Sequence, residues 1–408
     1  YTLFFKILAF TGTIIITYIS YNYLKDLDIL KPEFFFLILI SLAGILILIS
    51  SRNIMSMYLG LELQSICLYI LAAYRKYDIK SSESGVKYFI IGALSSGILL
   101  YGLSIIYAFT NATDFYEISK SINLSLENNE NFLILNIGFV LILCGLFFKI
   151  AVVPFHMWAP DVYEGSPTSV TAFFAIVPKV AALTVFIRFL YVPFINLVDQ
   201  WQMIIIFISL ASMILGAVAA IGQTNLKRLM AYSAIGHMGY ALAGLATGSN
   251  EGIQSTVIYL SIYLLMNLGI FSCIFMMKRK DIFYEDIQDL SGLSKNHPII
   301  SVCLLVLLFS LAGIPPLAGF FAKFYVFMAV IKVEMYTLAI IGLITTVISA
   351  FYYLRIIKII YFDDPKEIFE IDQNFGLKVS LFLSTIIILI YFIYPSLLID
   401  MVSNINVI

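Results

Sequence analysis

Residues 299–331 read IISVCLLVLLFSLAGIPPLAGFFAKFYVFMAVI, an apolar stretch of 33 residues that holds a single charge, Lys323. A straight α-helix of this length would measure about 50 Å, against a bilayer hydrocarbon core of roughly 30 Å. The segment AGIPPLAG at 312–319 supplies a break, because proline lacks a backbone donor and clashes with the preceding turn. Non-helical backbone at membrane depth is tolerated only inside protein or beside a wet cavity. The stretch therefore predicts a broken membrane helix beside a transport path.

The rest of the chain has the composition of a membrane protein. Of its 408 residues, 61% are hydrophobic and 12% are charged, against roughly 25% charged in ordinary soluble domains, so a water-soluble fold is excluded. About 20 apolar residues cross a bilayer as a helix. Twelve stretches qualify, at approximately 1–20, 33–50, 54–73, 86–109, 131–158, 169–188, 201–221, 229–247, 252–277, 299–331, 336–361 and 377–399.

Basic residues are unevenly shared between the loops on alternate sides of these stretches. Of the 24 Lys and Arg residues, 15 fall in loops on one side, four in loops on the other side and five within apolar stretches. A miscounted span would blur this bias, since basic residues accumulate on the cytoplasmic side. The pattern supports twelve spans and predicts that both termini lie away from the cytoplasm or matrix. The net charge of −1 gives no indication of a nucleic-acid partner.

Two short runs indicate an internal repeat. GLFFK at 145–149 and GFFAK at 319–323 lie 174 residues apart, each on an over-long stretch with a proline nearby, and a shift of 174 to 175 also places Glu62 on His237. The unit is five helices, and an odd number repeated in tandem crosses the membrane in opposite directions, as in many secondary transporters. We predict an all-α polytopic membrane fold of about twelve helices, with two inverted five-helix repeats and two broken helices. The units are a leading helix at 1–32, the repeats at 33–190 and 200–365, and a C-terminal helix at 370–408.

Four charges lie inside apolar stretches, where a charge is costly. Glu62 is the only acid there, and Lys149, Lys179 and Lys323 each lie well inside a stretch. An acid at a helix centre costs about 2.5–3.5 kcal/mol even on the lowest insertion scales. Burial and a nearby carboxylate act in opposite senses on the proton affinity of a lysine, so these groups suit proton transfer. The alternatives are a structural ion pair for Glu62 and lysines that extend to the head-groups.

Two further residues are candidates for the same path. Lys87 lies at the start of its stretch, within reach of the head-groups, and if the helix begins near Ser81 it is one turn deeper and could face Glu62. His237 lies near the centre of its stretch, and the ordinary pKa of histidine suits a proton relay; a hydrogen-bonded core histidine is the alternative. Such a path also needs polar residues that hold water, although these more often pack helices together: Tyr58, Tyr232, Ser233, Tyr240 and Asn267.

The sequence contains no evident cofactor or metal site. Its four cysteines lie in apolar stretches without CxxC or Cys/His spacing, and we interpret them as core residues: Cys67, Cys144, Cys273 and Cys303. No Gly-rich phosphate loop follows a strand, and no cysteine ladder could hold an iron–sulfur cluster. We expect that this chain binds no cofactor and that any redox chemistry is carried out elsewhere.

Four runs of residues carry a resemblance to a known family. They are GLELQS at 60–65, FKIAVVPFHMWAPDVYEGSP at 148–167, TNLKRLMAYSAIGHMGY at 224–240 and LAGIPPLAGFFAKFY at 311–325. With these runs the chain resembles the antiporter-like family of subunit 2 of respiratory complex I, NADH:ubiquinone oxidoreductase, called subunit N in bacteria. The resemblance covers nearly the whole chain.

The resemblance implies a proton-translocating membrane subunit with a charged axis along the middle of the membrane. We use "charged axis" for Glu62, Lys87, Lys149, Lys179, His237 and Lys323. In the family pattern the acid and its lysine partner face smaller membrane subunits, and the last lysine lies beside the next antiporter-like subunit. NADH, FMN, iron–sulfur clusters and ubiquinone are then expected in other subunits, with accessory subunits and structural lipids as further partners. The implied location is the mitochondrial inner membrane, with the bacterial plasma membrane as the alternative.

One departure and two alternatives accompany this resemblance. Glu62 lies on the third stretch, where the family places it on the fifth helix, so two leading helices of bacterial relatives have no counterpart here. A cation/proton antiporter subunit or a membrane-hydrogenase subunit would share the same fold. A structural spacer of the membrane arm that does not pump is the third reading, against which the retained charges argue.

Overall fold

The apolar stretches fold into α-helices joined by short connections. The computed structural model describes residues 1–127, 133–279, 282–366, 368–370 and 375–403. The helices are α1 (Thr2–Asp26), α2 (Pro32–Ser50), α3 (Ile54–Ala72), α4 (Ile79–Thr110), α5 (Phe115–Glu127), α6 (Leu133–Ile150), α7 (Trp158–Gly165), α8 (Thr168–Tyr191), α9 (Val198–Ile221), α10 (Leu226–Ala246), α11 (Asn250–Phe275), α12 (Leu293–Asn296), α13 (Pro298–Ala312), α14 (Ala318–Lys332), α15 (Tyr336–Phe362), α16 (Phe375–Ile393) and α17 (Ser396–Ser403). A short antiparallel hairpin, β1 (Lys278–Arg279) and β2 (Ile282–Phe283), follows α11.

Each of the twelve predicted stretches coincides with one helix or one broken pair of helices. Within the described residues, ten helices are long and apolar enough to cross a membrane. The other two stretches are α10, whose polarity is raised by Lys227, Arg228 and His237, and the pair α13 and α14, each of which has 15 residues. The predicted all-α polytopic fold is confirmed.

Both predicted breaks are present. α6 ends at Ile150 and is followed by Ala151 at φ 58°, while α13 ends at Ala312 and is followed by Gly313 at φ 85°. Each of these left-handed residues lies three positions before a proline, which prevents the helix from resuming at once. The chain then continues into α7 and α14, so the two broken helices of the prediction are confirmed.

The internal repeat is visible in how two helices begin. Asn53 caps α3 and forms an isolated β-bridge with Asp114, and Asn225 caps α10 and forms the same bridge with Asp286. Both spacings, 225 − 53 and 286 − 114, are 172 residues. The same cap and the same bridge, repeated at one interval, mark α2–α8 and α9–α15 as corresponding units.

This interval corrects the residue matches expected from the sequence. At 172 residues the counterpart of His237 is Ser65 rather than Glu62, which lies one helical turn earlier on α3. Lys149 lies before the first break and Lys323 lies after the second, so the GLFFK and GFFAK runs occupy different places in the broken helices. Short runs of Gly, Phe and Lys are too common in membrane helices to fix a register. The residue boundaries of the predicted units stay a prediction, and part of 370–408 lies outside the described residues.

Glycine pairs bring the first two helices of each unit into close contact. A Cβ on Gly44 would lie 2.7 Å from the backbone N of Gln64, and one on Gly60 would lie 2.8 Å from that of Leu48. In the second unit, a Cβ on Gly216 would lie 2.5 Å from the backbone N of Gly236. Small residues at such crossings let helix backbones approach in a membrane. The α2/α3 and α9/α10 pairs are therefore fixed in the same way.

Three helices form the centre of the fold. Every residue of α8 is buried, and nearly all residues of α10 and α11 are buried as well. The remaining long helices pack around them and expose apolar side chains outward, as a lipid-facing surface requires. Lys179 and His237 therefore lie on central helices, out of reach of lipid head-groups.

The charged loops sort to two ends of the helices, as the positive-inside pattern predicts. Lys31, Arg75, Lys76 and Lys80, all predicted on the basic side, line one surface depression. At the opposite end Lys332 pairs with an acid at the start of α11. These loops confirm the alternation of spans on which the predicted topology rests.

Candidate functional site

Lys149 is buried in the last turn of α6, directly before the first break. Its Nζ donates hydrogen bonds to Ser65 Oγ on α3 at 2.8 Å and to Ser96 Oγ on α4 at 3.3 Å. The Tyr69 ring centre lies 6.0 Å away. A lysine held by hydroxyls can lose its proton without leaving an unpaired carboxylate behind, which is what a proton carrier requires.

Glu62 lies on the outward stripe of α3. It is half-buried between Leu59 and Ile66, whose side chains are exposed. Its Oε1 is buried and has no hydrogen-bond partner among the residues that the structure describes. Ser65, which accepts a hydrogen bond from Lys149, lies one turn further along α3, and Glu62 is within electrostatic range of that lysine. The acid therefore faces Lys149 on one side and the molecular surface on the other.

Lys179 lies in the middle of α8, directly after Pro178, and is 1% exposed. Within the described part of the chain, its Nζ has no hydrogen-bond partner. The nearest aromatic ring, that of Tyr163, has its centre 5.4 Å from Nζ. A buried ammonium without hydrogen bonds is costly, which favours a functional over a structural role.

Aromatic rings separate Lys149 from Lys179. The Phe148 ring centre lies 5.7 Å from Lys149 Nζ and 5.5 Å from the Trp158 ring, and Trp158 lies 6.4 Å from Tyr163. Trp158 also donates its Nε1 hydrogen to the carbonyl of Phe148 at 3.1 Å, across the first break. The two lysines therefore occupy separate compartments at this side of the chain.

His237 is buried on α10 between two tyrosines from other helices. Its Nδ1 shares a hydrogen bond of 2.5 Å with the hydroxyl of Tyr259 on α11, and its Nε2 shares one of 3.2 Å with the hydroxyl of Tyr353 on α15. The Tyr353 hydroxyl also lies 2.5 Å from Ser233 Oγ. Both ring nitrogens are thus connected to hydroxyls, as a proton relay requires.

Lys323 lies on α14 just after the second break and is buried. Its Nζ donates to the carbonyls of Leu311 and Ala312, each at 3.1 Å, at the end of α13. These carbonyls lack helical partners, and the negative end of the helix dipole lies there. The Tyr240 ring centre is 4.9 Å from Nζ. His237 is within electrostatic range of Lys323 on one side and of Lys179 on the other.

Lys87 does not pair with Glu62. Its Nζ lies 2.8 Å from Asp161 Oδ2 and 2.7 Å from Glu83 Oε1. The predicted helix start near Ser81 is nearly right, since α4 begins at Ile79, but Lys87 still lies near the basic end of the helix. The charged axis therefore has two groups of neighbours. These are Glu62 with Lys149, and Lys179 with His237 and Lys323.

Lys87 instead belongs to a group of charges at the basic end. We define the rim cluster as Lys80, Lys87, Asp161, Glu164 and Arg228. Arg228 on α10 pairs with Asp161 at 2.7 Å and with Glu164 at 3.1 Å, and Lys80 pairs with Glu164 at 3.1 Å. The cluster surrounds a cavity of about 150 Å³ and ties α7, which follows the first break, to α4 and α10.

The rim cluster is expected to stay intact across the physiological pH range. Burial opposes ionisation of Asp161, but hydrogen bonds from Lys87 and Arg228 outweigh it and hold the pKa of this carboxyl below its ordinary value. Bonds from Lys80 and Arg228 likewise lower the pKa of Glu164. A lowered pKa stabilises the fold above the ordinary carboxyl pKa of about 4, and this contribution is lost only as the pH falls through the lowered value.

Thermal unfolding of the purified complex checks this expectation. Asp161→Asn should lower the unfolding temperature by the same amount at every pH from 5 to 8. Asp364→Asn, an exposed carboxyl at the same end, is the control and should have no effect. A difference that disappears between pH 8 and pH 6 would contradict the proposed pairing.

Comparison with known proteins agrees with this geometry. Residues 51–349 match the family described as NADH:quinone oxidoreductase/Mrp antiporter, transmembrane. The chain belongs to this family. NADH-quinone oxidoreductase subunit N of Pelagibacter ubique is 63% identical over 405 residues, which are 99% of this chain and 85% of that protein. The predicted membership of the antiporter-like family is confirmed.

Solved structures show the same fold. A chain of respiratory complex I from Thermus thermophilus aligns with a TM-score of 0.82 and 28% identity, over 98% of this chain and 85% of that one. A chain of the Mrp complex from a Dietzia species aligns with a TM-score of 0.84 and 19% identity, over 98% of this chain and 82% of that one. At that identity the Mrp likeness concerns the fold alone.

The chain is a multi-pass membrane protein. The relative named above is bacterial, and so is the subunit N of Rhodospirillum rubrum, which is 48% identical over 395 residues, 97% of this chain and 80% of that protein. These relatives agree with the plasma-membrane alternative. They give no support to the mitochondrial location, which the bias toward Phe, Ile, Tyr, Asn and Lys had suggested.

Several contacts of this antiporter-like site were not anticipated from the sequence. Ser65 and Ser96 bind Lys149, and Tyr259 and Tyr353 bind His237. Serine and tyrosine are frequent in membrane helices, so no local signal distinguishes these four from others. Of the residues expected to hold water, Ser233 and Tyr240 do lie beside the axis, while the side chain of Asn267 donates to a backbone carbonyl on its own helix.

Proposed function

We propose that this chain is the proton-translocating antiporter-like subunit of a bacterial NADH:quinone oxidoreductase of the complex I type. The observation that carries the proposal is the burial of three lysines and one histidine on central or broken helices, away from the head-groups: Lys149, Lys179, His237 and Lys323. Ionisable residues at membrane depth are expensive and mark ion or proton pathways. Each charge moved against 100 mV costs about 2.3 kcal/mol, a cost that modest changes in the surroundings of a lysine can supply.

In this proposal the proton path is wet. Buried polar atoms normally have hydrogen-bond partners, often ordered water. Tyr163 OH, Ser95 Oγ and Lys179 Nζ are buried and find no partner within the described ranges. Internal water beside Tyr163 would connect Lys179 to the aromatic rings that separate it from Lys149. This supports proton movement between the two compartments by way of water.

Glu62 would couple the subunit to its neighbour. A half-buried carboxylate on an outward stripe of apolar residues is untenable against hydrocarbon. The exposed faces of Leu59 and Ile66 beside it offer an apolar contact for another membrane helix. We propose that smaller membrane subunits cover this face and that quinone reduction elsewhere changes the charge state of Glu62. Lys149 would respond first, because it is the lysine within electrostatic range.

The other members of the axis have roles in the same scheme. Lys179 and His237 pass the proton toward Lys323, and a neighbouring antiporter-like subunit lies beyond α14. Lys87 belongs to the rim cluster and would act at the basic entrance rather than as the direct partner of Glu62. NADH, FMN, iron–sulfur clusters and ubiquinone belong to other subunits in this proposal, and lipids and accessory subunits complete the surroundings.

Two other functions fit the fold and are separated by experiment. A cation/proton antiporter has a similar chain fold in the Mrp complex, and a membrane-hydrogenase subunit was also anticipated. Co-purification with NADH-oxidising, quinone-reducing subunits supports the oxidoreductase against both. A non-pumping spacer would assemble into the same complex, so only a pumping measurement excludes it.

Glu62→Gln tests the coupling role. We expect the ratio of protons pumped to electrons transferred to fall in reconstituted vesicles, because the glutamine cannot carry the charge that Lys149 senses. Glu83→Gln is the matched control, since Glu83 is exposed on α4 and its partner Lys87 keeps Asp161. An unchanged ratio in Glu62→Gln would favour the spacer and contradict the proposal.

A further inference from the structure

Arg355 holds the end of another helix. It lies near the end of α15, where its Nη1 donates to the carbonyl of Ile221 at 2.7 Å and its Nη2 donates to the carbonyl of Gln223. Both carbonyls belong to the end of α9, the first helix of the second unit. The sequence pattern treats Arg355 as one of the basic loop residues.

Arg188 makes the same contact in the first unit. It lies near the end of α8, is almost completely buried, and donates through Nη1 to the carbonyls of Ile49 at 2.8 Å and Ser51 at 2.7 Å. Both carbonyls belong to the end of α2. Its Nη2 donates to Thr2 Oγ1 at 2.8 Å.

The two contacts are copies of one another. Ile49 corresponds to Ile221 and Ser51 to Gln223 at 172 residues, the same interval that separates the two capped helix starts. In both units the arginine lies on the last helix and the carbonyls lie on the first. Because the units are inverted, the two contacts lie at opposite ends of the membrane. We call each contact an arginine fork.

The chemistry of the fork explains why arginine is used. The last carbonyls of a helix lack backbone partners and carry the negative end of the helix dipole. A planar guanidinium presents donors in a fixed geometry and can bind two acceptors at once, whereas an ammonium is a single point charge. Each fork therefore fixes the last helix of a unit along its axis relative to the first.

A role in membrane topology does not account for both arginines. Positive residues set orientation by remaining on the cytoplasmic side, and Arg355 lies on that side. Arg188 lies at the opposite end, in a group of only four basic loop residues. The carbonyls of α2, rather than the orientation rule, explain its position.

The helices held by the forks carry members of the proton path. Tyr353, whose hydroxyl contacts His237 Nε2 at 3.2 Å, lies two residues before Arg355 on α15. Lys179 lies nine residues before Arg188 on α8, about 13 Å along the helix. Sliding either helix would move these groups, and displacements near 1 Å can slow chemistry by about 100-fold.

We propose that Arg188 and Arg355 are positioning residues that set the depth of Lys179 and Tyr353 for proton transfer. The proposal rests on the proton path proposed above. It assigns a function in translocation to two arginines that touch no member of the charged axis.

Arg355→Lys is the main test, in the whole complex reconstituted into vesicles, with pumping measured per assembled complex. Lysine keeps the positive charge but cannot hold both carbonyls, so we expect pumping to slow by up to about 100-fold. Tyr353→Phe should slow it as well, and the double variant should be no slower than the slower single variant. The pH profile of pumping should shift in Arg355→Lys, which a fork that only stabilised the fold would not produce. Lys358→Gln, an exposed lysine one turn away, is the control and should pump normally.

The outcomes separate the two proposals. If Tyr353→Phe slows pumping and Arg355→Lys does not, the positioning role is overturned and the proton path stands. Additive losses in the double variant also overturn the positioning role. If Tyr353→Phe pumps normally, the path through His237 fails and the role of Arg355 fails with it. Should Arg355→Lys not assemble, Arg188→Lys combined with Lys179→Met gives the same comparison in the first unit.

Discussion

Lys149→Met is expected to abolish coupled proton pumping while leaving the complex assembled. Methionine has nearly the shape of lysine and no ionisable group, so the packing at the end of α6 is retained. The two hydroxyls that accept hydrogen bonds from Lys149, on Ser65 and Ser96, can bind water instead. Only the site at which the proton is held is removed.

The size of the effect follows from the position of Lys149. It is the lysine within electrostatic range of Glu62, so in the proposed scheme every coupling event passes through it. A positioned acid or base contributes about 100-fold or more to a proton-transfer step. No other lysine lies in its compartment, because aromatic rings separate it from Lys179 in the described structure.

The measurement is the proton-to-electron ratio of reconstituted vesicles driven by NADH. Lys332→Met is the matched control, since Lys332 is exposed, pairs with Glu251 at the far end of the molecule and lies outside the proposed path. Pumping in Lys149→Met equal to that of the control would remove Lys149 from the mechanism. A normal ratio with less complex would point to a structural lysine instead.

The breaks could be predicted from the sequence because they depend on local covalent chemistry. Proline removes a donor wherever it stands, and a stretch of 33 residues exceeds the bilayer whatever its neighbours are. The same holds for the burial of Lys149, Lys179 and Lys323, since each is the rare charge in a long apolar run. These features need no knowledge of which helices meet.

The partners could not be predicted because they depend on which helices meet. Lys87 was expected near Glu62, but α7 brings Asp161 to it from 74 positions further along the chain. The tyrosines at His237 come from α11 and α15, 22 and 116 residues away. The register of the repeat was also beyond short motifs, because it is recorded in helix caps and in the 172-residue spacing of two β-bridges.

Lys179→Met is expected to make the complex more resistant to unfolding and unable to pump. Lys179 is 1% exposed, and its Nζ lacks a hydrogen-bond partner among the described residues. Replacing a buried charge with an apolar group of similar volume often stabilises a protein by about 1–4 kcal/mol. The proton path, in contrast, loses the only ionisable group on α8 between the rim cluster and His237.

Lys227→Met provides a control of the opposite sign. Lys227 is 2% exposed, nearly as buried as Lys179, but its Nζ lies 2.6 Å from Glu285 Oε1 and donates to the carbonyl of Ser166 at 2.9 Å. Its removal leaves a partly buried carboxylate and a carbonyl without their donor. We expect a loss of about 1–3 kcal/mol in stability.

Thermal unfolding of the two variants, measured beside their pumping, decides whether Lys179 is retained for function at the expense of stability. Functional sites commonly keep unfavourable groups that the surrounding structure must support. Gained stability together with lost pumping in Lys179→Met would establish that trade-off. If Lys179→Met instead lost stability, as Lys227→Met should, then Lys179 holds the fold together through partners such as bound water. The axis would in that case depend on Lys149 and Lys323 alone.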